Sequence, residues 1–285
     1  MARLVSVHGI GQQYSGERQL HAAWHPALAD GLTRAGAPPL PESDLECAFY
    51  GDLFRTAGRT LAVQDSPLEA SDVAEGLESD LLLALWAEAA RTDEAVLPPG
   101  ARTLARTPGT VQRALNALSR SRFFAGVALR TLVADLKQVR AYLTDPVVHA
   151  AVQQRLADRI APDTRVLVAH SLGTVVAYEA LCAHPEWPVR TLVTLGSPLG
   201  IRNLVFERLR VPDGGKPGDW PGSVEQWTNI ADEGDVVALQ KDLRPLFGPR
   251  VEGHLVRNGA RAHDATRYLN TPQTGRAVTD GQQSD

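Results

Sequence analysis

A continuously apolar run, Val166-Leu167-Val168-Ala169, passes through His170-Ser171-Leu172-Gly173 into the helix-compatible segment Thr174-Val175-Val176-Ala177-Tyr178. A strand that is apolar at every position must be covered on both faces, and such strands occur inside parallel sheets flanked by helices. Parallel neighbours need crossover connections, so helices must alternate with strands along the chain. Apolar runs at Arg3–Val7, Leu45–Tyr50, Arg165–Ala169, Thr191–Leu195, Gln226–Ala231 and Val251–Val256 are the candidate strands. The class expected is therefore α/β, with a mainly parallel sheet.

The 285 residues fit one such domain spanning the whole chain. Between the second and third strands lies a helical stretch, about 71–160, far longer than one crossover requires. Leu81, Leu82, Leu85 and Trp86 recur at helical spacing, as do Leu129, Leu132, Val133, Leu136, Val139 and Leu143. Pro98-Pro99-Gly100 and Pro108-Gly109 punctuate the stretch, and Thr144-Asp145-Pro146 reads as a fresh helix start. An insertion is expected here, either as extra core packing or as a lid over a pocket. The Pro/Gly-rich segment Val211–Gly222 reads as a surface loop beside the site, and residues 279–285 as a polar, frayed tail.

The net charge of −4 is spread along the chain, so no nucleic-acid partner is expected. Cys47 and Cys182 have neither metal-ligand spacing nor a disulfide framework, which favours a reducing, cytoplasmic setting. No apolar run reaches the ~20 residues of a membrane span, so stable membrane insertion is not expected.

The run into Ser171 has a specific physical logic. A serine that projects from a strand end must sit on a sharp, strained turn, while the next helix packs closely against the strand. Small residues are then needed two before and two after it, and Ala169 and Gly173 stand there. A helix N-terminus also favours a developing negative charge. At these residues the chain resembles the α/β-hydrolase family, especially lipases and esterases with an A-x-S-x-G elbow.

The resemblance covers 1–60 and 162–275 and implies a set of roles. Ser171 would be the nucleophile. One oxyanion donor would be the N–H of Leu172. The other, from Val7-His8-Gly9-Ile10-Gly11 after the first strand, would be the N–H of Ile10. In the family the acid and then the histidine follow the nucleophile in chain order. Asp235, in Ala231-Asp232-Glu233-Gly234-Asp235-Val236-Val237, matches the acid position, with Asp232 as runner-up. His263 lies in a loop beyond the last strand, whereas His254 lies inside that strand; loop placement favours His263. His8 and His170 read as residues that pack or orient a loop and face away from the chemistry.

Other motifs fall short. Gly9 and Gly11 lack the third glycine of a dinucleotide loop, because Tyr14 stands in its place. His21-Ala22-Ala23-Trp24-His25 lacks the glutamate of a zinc protease. Ser197, in Leu195-Gly196-Ser197-Pro198, follows a bulky Leu195 and resembles the turn that shapes the pocket floor in lipases. The function expected is hydrolysis of a small-molecule carboxylic ester through an acyl-enzyme, with no cofactor. An acyltransferase or cyclase, a peptidase, and a non-catalytic binding module are the alternatives.

Overall fold

The computed structural model describes residues 3–55, 70–100, 107–121, 129–212 and 214–283. Six strands form one sheet: β1 (Arg3–Val7), β2 (Leu45–Ala48), β3 (Thr164–His170), β4 (Thr191–Leu195), β5 (Gln226–Asp232) and β6 (Val251–Val256). Their order is β2-β1-β3-β4-β5-β6, and each neighbouring pair is parallel. The chain runs outward from β1 to β2, then returns to β3 on the other side of β1. In a sheet of this kind, ligands bind beyond the carboxyl ends of the strands that flank such a reversal. Here those ends are Val7 and His170.

The two faces are covered by different helices. Val5, Val7, Leu167, Ala169 and Leu192 point to one face, packed by α6 (Leu172–Ala183) and by the segment between β2 and β3. Leu4, Val166, Val168, Val193 and Leu195 point to the other, packed by α1 (Glu17–Arg34) and the C-terminal helices. The alternation follows from the period of two along each strand. No helix of the described residues is long and apolar enough to cross a membrane.

Among the described residues, four α-helices lie between β2 and β3: α2 (Leu77–Thr92), α3 (Pro108–Leu118), α4 (Leu129–Thr144) and α5 (Pro146–Ala157). Pro108 opens α3 rather than interrupting a helix, because Thr107 caps it by accepting from the Thr110 N–H. Asp145 likewise caps α5, accepting at 2.8 Å from the Val147 N–H. Leu81, Leu82, Leu85, Trp86, Leu132, Val133 and Leu136 are buried in the core of the β1/β3 face.

Three expectations need correction. β2 stops at Ala48, short of Tyr50, because the Tyr50 N–H leaves the ladder and donates to His8 Nε2 at 3.1 Å. The tail is not frayed through its length: after α7 (Arg244–Phe247) and α8 (Ala265–Leu269), α9 (Pro272–Gln283) includes residues 279–283, while 284–285 lie outside the described residues. Glycines let α9 lie close to its neighbours. A methyl on Gly275 would meet the Gly31 carbonyl oxygen at 2.1 Å, and one on Gly281 would meet Thr191 at 2.5 Å. The segment after Val211 packs elsewhere than expected. Trp220 lies against Trp227, and Tyr178 donates to the Asp219 carbonyl at 2.8 Å, so the segment covers α6 and β5.

Candidate active site

Ser171 joins β3 to α6 with φ 53° and ψ −130°. A serine in that region is strained, so the surroundings must hold it there. Its N–H donates to the Leu195 carbonyl at 3.0 Å, which anchors the turn to β4. The small residues around it act mainly toward β1, the neighbouring strand. A methyl on Gly173 would lie 2.4 Å from the carbonyl oxygens of both Val7 and His8. One on Gly9 would lie 2.6 Å from Ser171 Cβ and 3.2 Å from its Oγ. The end of β1 thus closes directly onto the serine.

The loop after β1 is braced by His8, which is almost wholly buried. Its Nε2 accepts from the Tyr50 N–H, so the ring proton lies on Nδ1, which donates to the Gly9 carbonyl at 2.6 Å. Burial drives the His8 pKa down to about 4, against the hydrogen bond to Gly9 and the charge of Asp52. The ring is therefore neutral near pH 7. The Gly9 carbonyl and the Ile10 N–H belong to one planar peptide unit and point opposite ways. Holding the carbonyl on His8 consequently fixes the direction of the Ile10 N–H. Helix α4 holds the same loop from its other side: Gln138 Oε1 accepts from the Gly11 N–H at 3.3 Å.

Asp235 and His263 meet. His263 Nδ1 lies 2.7 Å from Asp235 Oδ2. Asp235 is fully buried, and its Oδ1 accepts from the Val237 N–H at 2.9 Å. Burial alone would raise this carboxyl. The facing His263, with donors from His263, Tyr268 and Val237, outweighs burial and holds it below the usual carboxylate range. Gly196, at φ +54°, makes room: a methyl there would come within 2.7 Å of Asp235 Oδ2 and 3.0 Å of His263 Nδ1. The turn after β4 therefore lies against the His263–Asp235 pair. Its Ser197 hydroxyl bonds Thr174 Oγ1 at 2.8 Å and receives the Leu199 N–H.

The runner-up residues do other work. Asp232 accepts from the N–H groups of Gly234 and Asn258 and so ties the end of β5 to the loop after β6. His254 sits on β6 and pairs with Glu252 at 2.9 Å. His21 and His25 bond the carbonyls of Glu42 and Leu40.

Two side chains that sequence reasoning did not assign, together with His170, complete the surroundings. The Tyr268 hydroxyl donates to Asp235 Oδ2 and accepts from the Asp232 N–H. The Lys241 ammonium donates to the carbonyls of Asp235 and Ala238 at 2.6 and 2.7 Å, and pairs with buried Glu88 of α2. His170 orients a loop, as its position suggests, but it does not face away: its Nε2 bonds the His263 carbonyl at 2.9 Å, with the two rings 4.5 Å apart. Burial, then the facing His263, drives the His170 pKa down to about 3, so the ring is neutral and its Nε2–H donates.

Ser171, His263, Ile10 and Leu172 all line one cavity of about 690 Å³. Leu81 and Leu85 of α2 and Leu132, Asp135, Leu136 and Val139 of α4 line it too, so α2 and α4 belong to its wall. Asp135 is the third unassigned residue. Its signal was readable, since it interrupts the apolar stripe of Leu132, Leu136 and Val139. Chemically, the cavity combines a strained serine at a helix N-terminus, an imidazole oriented by a buried carboxylate, and apolar walls. The chain matches no family model, no curated protein and no solved structure.

Proposed function

We propose that this protein is a serine hydrolase of the α/β-hydrolase type that cleaves carboxylic esters through an acyl-enzyme. The observation that carries the reading is the 2.7 Å contact of His263 Nδ1 with buried Asp235, on the wall of the cavity that Ser171 also lines. An imidazole held this way has its Nδ1 proton committed to the carboxylate, which fixes the tautomer and leaves proton transfer to Nε2.

Ser171 Oγ attacks the ester carbonyl carbon while His263 takes the hydroxyl proton. The tetrahedral oxyanion is stabilised by the N–H groups of Ile10 and Leu172. Leu172 is the first residue of α6, where backbone N–H groups have no intrahelical acceptor. Collapse breaks the C–O bond, and His263 protonates the departing alcohol. Water then attacks the acyl-enzyme with His263 as base, which releases the acid and restores Ser171. Asp235 keeps the histidine tautomer and stabilises the imidazolium. Apolar side chains of α2 and α4 in the cavity wall favour an apolar acyl group, with the insertion acting as a cover.

The test is labelling by a fluorophosphonate, followed by a screen of p-nitrophenyl esters of increasing chain length. The expected result is a covalent adduct on Ser171 and ester hydrolysis, both lost in Ser171→Ala. A folded wild-type protein that takes no label and hydrolyses no ester would instead be a binding module.

A further inference from the structure

Among the described residues, the fully buried carboxylates draw donors to their oxygens. Glu78 receives Arg140, Lys137 and the Ala74 N–H. Glu88 receives Lys241 and Arg91. Glu179 receives the Tyr142 hydroxyl, His149 and the Arg210 N–H. Asp232 and Asp235 each accept several donors. This is the expected behaviour, because a carboxylate removed from water needs donors to replace it.

Asp135 is only partly buried, but its Oδ1 is shielded from solvent and no described residue donates to it; Asp52 Oδ1 is shielded in the same way, yet its Oδ2 pairs with Arg155 at 2.9 Å. It stands on the cavity wall between Leu132, Leu136 and Val139, and a methyl on Gly11 would come within 3.7 Å of Oδ1. The carboxyl therefore lies beside the loop that carries Ile10. Elsewhere on the wall, Arg261 and Asp264 lie 3.6 Å apart and face each other, and His8 and His170 are neutral. Burial raises the Asp135 pKa to about 7, and His263 opposes that rise through its charge. A group in this state gains most from a cation brought in from outside.

We propose that Asp135 is a specificity-determining residue that binds an ammonium group on the substrate, so that the preferred esters are amino esters with an apolar spacer. The apolar side chains beside it would cover the spacer, and the carboxylate would accept the ammonium N–H. The inference rests on the hydrolase reading for its turnover readout, and on the cavity alone for its binding readout.

The test compares two p-nitrophenyl esters of equal length, that of ω-aminohexanoic acid and that of heptanoic acid. They differ only by an ammonium in place of a methyl. The quantity read is the ratio of their kcat/KM values within each protein, so a general loss of activity cancels. Wild type should favour the amino ester about tenfold or more. Asp135→Asn and Asp135→Leu should bring the ratio down about tenfold, and Asp135→Glu should restore part of it. A wild-type ratio at or below one, or a ratio unchanged in Asp135→Asn, overturns the proposal.

If wild type takes no fluorophosphonate label and turns over neither ester, the hydrolase reading fails separately. Thermal shifts with ω-aminohexanamide and heptanamide then decide the inference. A shift specific to the amine that disappears in Asp135→Asn supports the ammonium site. Equal shifts, or none, end it. Unliganded melting curves of each variant show that it is folded.

Discussion

The Tyr268 hydroxyl donates at 2.7 Å to Asp235 Oδ2, the same oxygen that meets His263 Nδ1. The hydroxyl oxygen also accepts the Asp232 N–H at 2.8 Å, so one buried phenol serves both ends of the loop after β5. Tyr268→Phe removes a donor from an ionised carboxylate and leaves a buried N–H without its acceptor. The expected loss of stability is about 2–3 kcal/mol, read from denaturant unfolding with the slope unchanged. Turnover should fall as well, but less than in Asp235→Asn, because the His263–Asp235 contact remains.

If Ser171, His263 and Asp235 act as one unit, their losses are not additive. Ser171→Ala and His263→Ala should each lower kcat by ~10⁶, and the double variant should be no worse. Asp235→Asn should cost less, ~10⁴. Steady-state kinetics on the best ester of the screen reads this directly. Additive losses in the double variant would mean that the two side chains work independently.

The strand at Val166 was legible because full burial on two faces leaves no polar position to obscure the pattern. Asp235 and His263 stood out for a related reason. Each follows an apolar run, and strand ends in a parallel sheet converge on one edge. What periodicity could not supply was contact between side chains far apart in sequence. His170 does not face away from the chemistry: it bonds the His263 carbonyl, and so joins the end of β3 to the loop after β6. Tyr268 lies on a short helix, Ala265–Leu269, where nothing in its spacing marks it as a partner of Asp235. The tail misled for another reason: residues 279–283 are polar, but Gly275 and Gly281 let the backbone of α9 pack closely where bulkier residues could not.

The tight fit of α6 against β1 predicts a sharp contrast among glycines. Gly173→Ala drives a methyl to 2.4 Å from two carbonyl oxygens, both backbone atoms that cannot swing aside. The cost expected is at least about 1–3 kcal/mol, with lower activity as Ser171 shifts. Gly253→Ala on β6 meets nothing within 4 Å and should stay within about 0.5 kcal/mol of wild type. Equilibrium unfolding of the two variants checks the contrast, and equal effects would contradict the close approach.

Acid should weaken the fold through two neutral histidines, with Asp135 acting against them. His8 and His170 have folded pKa values of about 4 and about 3, below the ordinary 6.5. The unfolded chain therefore binds more protons as pH falls below 6.5, so their contribution is complete above that pH and is lost on acidification. Between pH 7.5 and 5 the pair should cost on the order of 4 kcal/mol. Asp135 has the opposite sign, because its folded pKa is raised to about 7 from 3.8 and the folded state takes up the proton first. It should return on the order of 2–3 kcal/mol over the same window, so the histidines win by a modest margin. Asp235, held below its ordinary value, adds its own loss only at more acidic pH. Asp135→Asn removes the compensation and should steepen the fall in stability from pH 7.5 to 5. His170→Gln in that background should flatten it by about half. Urea unfolding across the pH range measures both slopes, and parallel curves for wild type and Asp135→Asn would rule out a buried, weakly acidic carboxyl at this position.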